Sequence, residues 1–459
     1  MQKQTVSKLD RIIFIDLLGT VLLSVLAFGT VEPWSLAVFE LNALLLLLLL
    51  SLRCVLVPIV DPGRFRIALP LLGLLLLGVC QFIPFGTVNP VTMPEAVPLA
   101  SLGTRTLSLE PYATRQASVK LLALLIYFLA AIHVFKDSQR RKFTLITLTI
   151  FGFAVSLFAI VQRFTYNGKL YWFRSVSPYI APYGPYGNYN HFSGMVELIL
   201  PLPLAWITIT RIRLEMRVMA LFSVVMMAVA LIFSLSRGGM LALAVQGLAF
   251  IVLPRLNNRK FNPTHENRNF GGNKLIIAVA AIAVLVMALW IGYEPLLKRV
   301  GGTLSQGAGE YSVTTRMEYW RASWRIFLDH PLAGAGIGAF PAVYPAYGKA
   351  TAKFERLEQT HNDYLQLLTD AGIIGALLGA WFLFELIAAV RRIWPDISLL
   401  RGSDRAIVAG GCISIIGIFI HSFLDFNLQI AANALLFLFV VALLTSSAKS
   451  ATDPLSRLP

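Results

Sequence analysis

Two histidines and several arginines supply the residue types that group transfer from a phosphorylated donor needs: a proton acceptor and fixed positive charge. His361 lies in QTHNDYLQLLTDAG at 359–372. Thr360 and Asp363, three residues apart, fit a capping box and Gly372 fits a helix end, which places His361 in the first turn of a short helix just before an apolar run. A helix N-terminus disfavours the imidazolium, and a neutral imidazole accepts a proton. The plainer reading is a polar residue at an exposed helix start. His191, in GPYGNYNHFSG at 184–194, has a similar setting, and for it the structural reading is the simpler one.

Arg237 sits in SLSRGG at 234–239, beside glycines that let backbone approach closely. A guanidinium at the edge of an apolar run needs water or an anionic partner, and its fork suits a pyrophosphate better than an ammonium does. VTTRMEYWRASWRIFLD at 313–329 spaces Met317, Trp320, Trp324 and Phe327 at helical intervals with Arg321 and Arg325 beside them, an amphipathic helix for a membrane surface. Its arginines either snorkel from an interfacial anchor or hold a phosphate at the membrane boundary. DHPLAGAGIGAF at 329–340 alternates Gly334, Gly336 and Gly338 like a phosphate-cradling loop, but it follows no predicted strand, so a closely packed turn is the better reading. His133, His265 and His330 read as structural. The outer segments contain no Asp-x-Asp pair and no His-rich cluster, which leaves pyrophosphate chemistry to positive side chains and predicts neither a metal nor a cofactor.

Membrane helices must position these residues. Of 459 residues, 57% are hydrophobic and 14% charged, against about 25% charged in a soluble protein. The apolar residues fall in long runs, which predicts an all-α polytopic integral membrane protein and excludes a soluble enzyme, a fibrous protein and a disordered chain. Twelve apolar segments can be marked: 12–31, 36–52, 67–86, 117–135, 143–162, 193–210, 218–235, 240–254, 275–293, 372–390, 406–424 and 430–446. The first lacks a small-residue cleavage site and reads as a retained span. Pro201 and Pro203 interrupt the sixth. Cys54, Cys80 and Cys412 lie far apart and read as small core residues, supporting neither a disulfide framework nor a thiolate site.

With the N-terminus inside, 24 of the 39 Lys and Arg fall in short inner loops, and eight of the 14 outer ones sit in one long loop. Both termini are therefore expected in the cytoplasm, and the net charge of +15 is an orientation signal rather than a nucleic-acid footprint. The chain divides into nine helices with short loops over 1–293, a large external loop over 294–371, and three helices with a cytoplasmic tail over 372–459. Inside the spans, Asp16, Glu40, Glu197, Glu385 and the pair His421 and Asp425 are ionisable. Such groups cost about 2.5–3.5 kcal/mol at mid-membrane for Asp, so each is a functional candidate. His421 and Asp425, four apart on one helix, would suit a proton site in a secondary transporter, although no internal repeat accompanies them.

As a set, these motifs resemble a known family. RMEYW from Arg316, DHPLAGAGIGAF and HNDYLQLLTDAGIIG, ending at Gly375, are similar to the C-terminal signature region of the O-antigen ligase and O-antigen polymerase superfamily of bacterial envelope enzymes. NYNHFSG at 188–194 and SLSRGG resemble its earlier motifs, in the expected order. The resemblance implies a GT-C-like bundle with one large external loop containing short helices, and a metal-independent glycosyltransferase at the periplasmic face of the inner membrane. It implies an undecaprenyl-pyrophosphate-linked glycan as donor, drawn from the lipid bilayer. The acceptor is the lipid A-core for a ligase or a growing glycan for a polymerase, with envelope polysaccharide assembly proteins as candidate partners. The family's functional histidine and arginines map onto His361, Arg316 and Arg237. Arg163, His191, Arg321, Arg325, Asn362, Arg115 and Lys120 are candidate substrate-binding residues, of which Arg163, Arg115 and Lys120 stand at outer span ends without a firm motif. A single displacement at the anomeric carbon would invert configuration, with arginines stabilising the leaving pyrophosphate and His361 assisting the hydroxyl. Ligase-type transfer is the leading expectation, a polymerase the near alternative, and a secondary transporter the rival from another class.

Overall fold

The computed structural model describes residues 2–57, 62–86, 105–176, 182–256, 308–348, 359–394 and 402–450, with Ile397 and Leu400. Its helices are α1 (Gln2–Leu26), α2 (Pro33–Leu56), α3 (Leu69–Phe82), α4 (Pro111–Val134), α5 (Ser138–Phe164), α6 (Tyr189–Ile199), α7 (Pro201–Ile209), α8 (Leu214–Phe233), α9 (Arg237–Leu256), α10 (Ala308–Asp329), α11 (Phe340–Val343), α12 (Asp363–Ile393), α13 (Gly402–His421) and α14 (Ala431–Ser450). A small antiparallel hairpin, β1 (Lys169–Leu170) and β2 (Arg174–Ser175), lies between α5 and α6. Eight helical segments among the described residues are long and apolar enough to cross a membrane, and α9 and α14 carry shorter apolar stretches. The chain is thus an all-α polytopic membrane protein. Eleven of the twelve apolar segments marked from the sequence coincide with helices. The ninth, 275–293, lies outside the described residues, as do His265, Gly301, Gly302 and Gly307.

Local sequence explains where helices begin and break. Pro33 and Pro111 open α2 and α4, where a missing N–H costs nothing. The Asp137 side chain caps α5 by accepting from Gln139 N at 2.8 Å, and Asn188 caps α6 by accepting from Asn190 N at 2.9 Å. Pro201 divides the sixth segment into α6 and α7, because proline removes an i→i−4 bond and its ring crowds the carbonyl four residues back. The leucine-rich α2 turns Leu41, Leu44 and Leu48 outward, whereas α6, α7, α13 and α14 bury nearly every side chain at the centre. The three cysteines are free, and Cys80 is exposed rather than a core residue.

The two ends of the bundle are tied differently. At one end Arg141, fully buried, makes a bidentate pair with Asp404 at 2.8 Å to each oxygen and donates to Phe135 O at 2.6 Å. His133 and Arg53 meet Asp10 nearby, at 2.9 and 3.4 Å. The other end gathers the longer connections. There the GAGIG turn is folded onto α12: Ala335 N donates to Thr369 O at 2.8 Å, Gly336 N to Asp370 O at 3.2 Å and Gly338 N to the Asp370 carboxylate at 3.1 Å. Its N–H groups are spent on protein acceptors, so the closely packed turn is what the structure contains and a phosphate cradle is not.

Gly372 breaks α12 with φ 62 and ψ −156, a region open essentially to glycine. The N–H groups of Ile373 and Ile374 are redirected to Pro331 O (2.8 Å) and Leu332 O (3.2 Å). The stretch 363–371 is therefore a short helix set against the long apolar one, as the sequence predicts. A Cβ at Gly372 would strike Leu332 O, so Gly372→Ala is expected to destabilise by more than about 1 kcal/mol. Asp404→Asn, which strands a buried guanidinium, is expected to cost about 3–5 kcal/mol. Thermal melting of the detergent-solubilised variants checks both, and an unchanged Tm would contradict the assignment.

Candidate functional site

Residues 422–430 join α13 to α14 and carry Asp425, whose side chain is 1% exposed. Asp425 N donates to His421 O at 3.0 Å, and Phe426 N donates to Asp425 Oδ1 at 2.9 Å, so the carboxylate is fixed by its own loop. Around it converge three other segments. Asn190 of α6 donates through Nδ2 to Oδ2 in a close hydrogen bond. His361 brings Nδ1 to 3.4 Å from Oδ1, and Arg316 of α10 brings Nη2 to 3.7 Å from Oδ2. Both are longer than a hydrogen bond, and both side chains stay partly exposed, at 25% and 28%.

His361 does not stand in the first turn of a helix. The cap of α12 is Asn362, which accepts from Tyr364 N (3.0 Å) and Leu365 N (3.1 Å), while Thr360 turns its hydroxyl onto Asn362 O at 2.7 Å. Asn362 stands next to the first free N–H groups and takes the cap. His361 therefore precedes it, in the left-handed region at φ 54. Its ring lies parallel to Tyr319 (6.1 Å, 16°) and edge-on to Phe426 (4.8 Å). A carboxylate, and not a helix terminus, therefore faces Nδ1. An Asp–His pair of this kind orients an imidazole and leaves Nε2 for a proton, the logic of a base held by a third group.

Burial alone would raise the Asp425 carboxyl, but His361, His191 and Arg316 outweigh it and hold the group well below the usual carboxylate range.

Arg237 opens α9 one residue after Ser236, whose hydroxyl donates to Asn190 Oδ1 at 2.7 Å; Asn190 in turn donates to Asp425. Gly238 stands against the His421 ring and Gly239 against Ser193, which is how the glycines let the turn approach. Among the described residues Arg237 has no carboxylate partner. His191 is buried, with Phe426 edge-on at 4.8 Å and its carbonyl accepting from Asn433 Nδ2 at 2.9 Å, which favours the structural reading. Asn362 serves as cap and donates to Phe423 O at 3.2 Å. Arg321 and Arg325 lie on the exposed face of α10 beside Met317, Trp324 and Leu328, the arrangement of an interfacial anchor, while Tyr319, Ala322 and Ile326 pack inward. Arg163 is exposed in the last turn of α5, and Arg115 lies 5.9 Å from the Tyr112 ring. Lys120 donates to Gln429 O at 3.1 Å and lines a separate cavity. The proton pair that a transporter could make of His421 and Asp425 does not form: His421 Nδ1 is 2.8 Å from Glu197 Oε1 instead.

Residues 222–380 match the family described as O-antigen ligase. The match covers about a third of the chain. No curated protein matches the chain. The O-antigen ligase segment contains Arg237, Arg316 and His361, and it stops short of Asp425, Asn190 and His191. The sequence marks Asp425 as an ionisable candidate but does not join it to His361 and Arg316, and it gives Asn190 only as part of NYNHFSG. The signal available for both was polarity inside apolar segments; which histidine the carboxylate meets depends on loop geometry.

Because the Asp425 pKa is depressed on folding, its contribution is present above the unfolded carboxylate value of about 3.9 and is lost as pH falls toward the folded one. Asp425→Asn is expected to melt below wild type at pH 7, with the difference shrinking below about pH 4. A constant difference across that range would contradict the charge pairing.

Proposed function

We propose that this chain is a membrane glycosyltransferase of the O-antigen ligase type, moving a glycan from undecaprenyl pyrophosphate onto a lipid A-core hydroxyl. The observation that carries the reading is the Asp425 centre, in which a histidine and an arginine of the O-antigen ligase segment meet one buried carboxylate while keeping exposed surface. In this reading the centre faces the periplasm from the inner membrane, both termini are cytoplasmic, and the division at 293 and 371 separates two helical parts from the loop that supplies the chemistry.

The reaction follows from the groups. The acceptor oxygen attacks the anomeric carbon, the bond from that carbon to the pyrophosphate oxygen breaks, and the acceptor proton passes to His361 Nε2 while the Asp425 carboxylate, 3.4 Å from Nδ1, stabilises the imidazolium. Negative charge grows on the departing pyrophosphate. Arg237, without a carboxylate among the described residues, and Arg316, shared loosely with Asp425 at 3.7 Å, are the guanidiniums available to offset it. One displacement inverts the anomeric configuration, and no step calls on a metal.

The test uses purified protein in nanodiscs with an undecaprenyl-pyrophosphate oligosaccharide, with and without lipid A-core, in EDTA. A core-dependent product of one donor length supports the ligase, and a ladder without core redirects the reading to a polymerase. His361→Ala is expected to lower the rate about 10²–10⁴-fold. Transfer at the wild-type rate by that variant would overturn the base assignment.

A further inference from the structure

Between α3, α4, α12 and α14 lies a cavity of about 290 Å³ that shares no lining residue with the Asp425 centre. Its walls are mostly apolar, with Leu71, Leu74, Leu124, Leu378 and Phe382 among them. Its polar lining is Lys120, Gln359, Asp363 and Asp370, with Gln429 of the α13–α14 loop. Two of these carry buried atoms without partners among the described residues. Asp363, 8% exposed, accepts from Ser422 Oγ (2.8 Å) and Leu428 N (3.2 Å) through Oδ2, yet its Oδ1 has no partner. Gln359 Oε1 is likewise unpaired. Lys120 uses one N–H on Gln429 O, next to the Leu428 that holds Asp363, so the ammonium and the carboxylate hang from the same loop.

Two orphan acceptors and an ammonium with donors to spare define what fits. An acyl chain alone leaves the acceptors unpaired, which buried polar groups avoid. A phosphate is attracted by Lys120 and repelled by Asp363 and Asp370. A polyhydroxylated headgroup both donates and accepts, and a hydrocarbon tail suits the leucine and phenylalanine walls.

We propose that this cavity is a second substrate site, holding the sugar headgroup of a lipid-anchored saccharide, with Asp363 Oδ1 and Gln359 Oε1 accepting from its hydroxyls and Lys120 donating to them. On the glycosyltransferase reading, on which this word rests, the occupant is the acceptor. Asp363 follows His361 by two residues, across the Asn362 cap, so the cavity and the base lie on the same short stretch of chain.

The experiment compares two photoreactive probes in the full chain in nanodiscs: dodecyl maltoside and dodecyl phosphate, each with a diazirine in the tail, with labelled peptides mapped by mass spectrometry. The maltoside is expected to label peptides containing Leu71–Leu74 and Leu378–Phe382, and Gln359→Leu and Lys120→Met to lower that labelling about fivefold or more, the loss of one or two hydrogen bonds. Asp363→Asn also disturbs the Ser422 contact, so those two variants carry the decision. Equal labelling by the phosphate probe, or labelling unaffected in Gln359→Leu, overturns the site. In the transfer assay Gln359→Leu is expected to raise the acceptor KM with kcat within about twofold, since a polar contact made alike in ground and transition states changes binding only. Wild-type protein that transfers to no acceptor would sink the glycosyltransferase reading alone, because the labelling result stands without it.

Discussion

One buried carboxylate organises the loop end of this bundle. Asp425 is charged, almost wholly removed from solvent and surrounded by apolar helices, a placement that is tolerated only when the charge is met by donors and cations. Those partners come from α6, from α10, from the residue before the α12 cap and from the carboxylate's own loop. Each is far from the others in sequence. The need to satisfy Asp425 therefore draws four connections to one point, and the position of His361 and Arg316 follows from it.

The opposite end uses the same physics for a different purpose. Arg141 and Asp404 are paired bidentately and the guanidinium is also capped by two backbone carbonyls, at 2.6 and 3.1 Å, so nothing is left over to bind a ligand. At the Asp425 centre the distances are 3.4 and 3.7 Å and both His361 and Arg316 keep exposed surface. A saturated pair fastens helices. An unsaturated one keeps donors and a ring nitrogen for chemistry, and that difference separates a structural ion pair from a candidate active centre.

The helix break at Gly372 links the two requirements. A straight α12 would carry the Asp363–Ala371 stretch in line with its long apolar partner. The break lets the GAGIG turn and the carbonyls of Pro331 and Leu332 lock onto α12 instead, so that Asn362, Asp363 and His361 are held against the α13–α14 loop. Glycine is required because the backbone lies where a side chain would strike Leu332 O. Rigid secondary structure thereby positions residues that sit on connections, where freedom is greatest.

The sequence by itself determined the membrane class, the helical segments that lie among the described residues, the short helix ended by Gly372, the tight SLSRGG turn and the candidacy of His361, Arg316 and Arg237. Those features are local: apolar run length, charge bias, a glycine at a helix end and motif spacing are all written within some twenty residues. Only the tertiary structure decided that Asn362 and not Thr360 caps α12, that His361 faces Asp425, that Glu197 takes His421, and that Lys120 lines a cavity apart from the Asp425 centre. Each depends on which side chains from distant segments share one dry volume, and the pairing of buried charges is set by three-dimensional proximity, which periodicity along the chain does not encode.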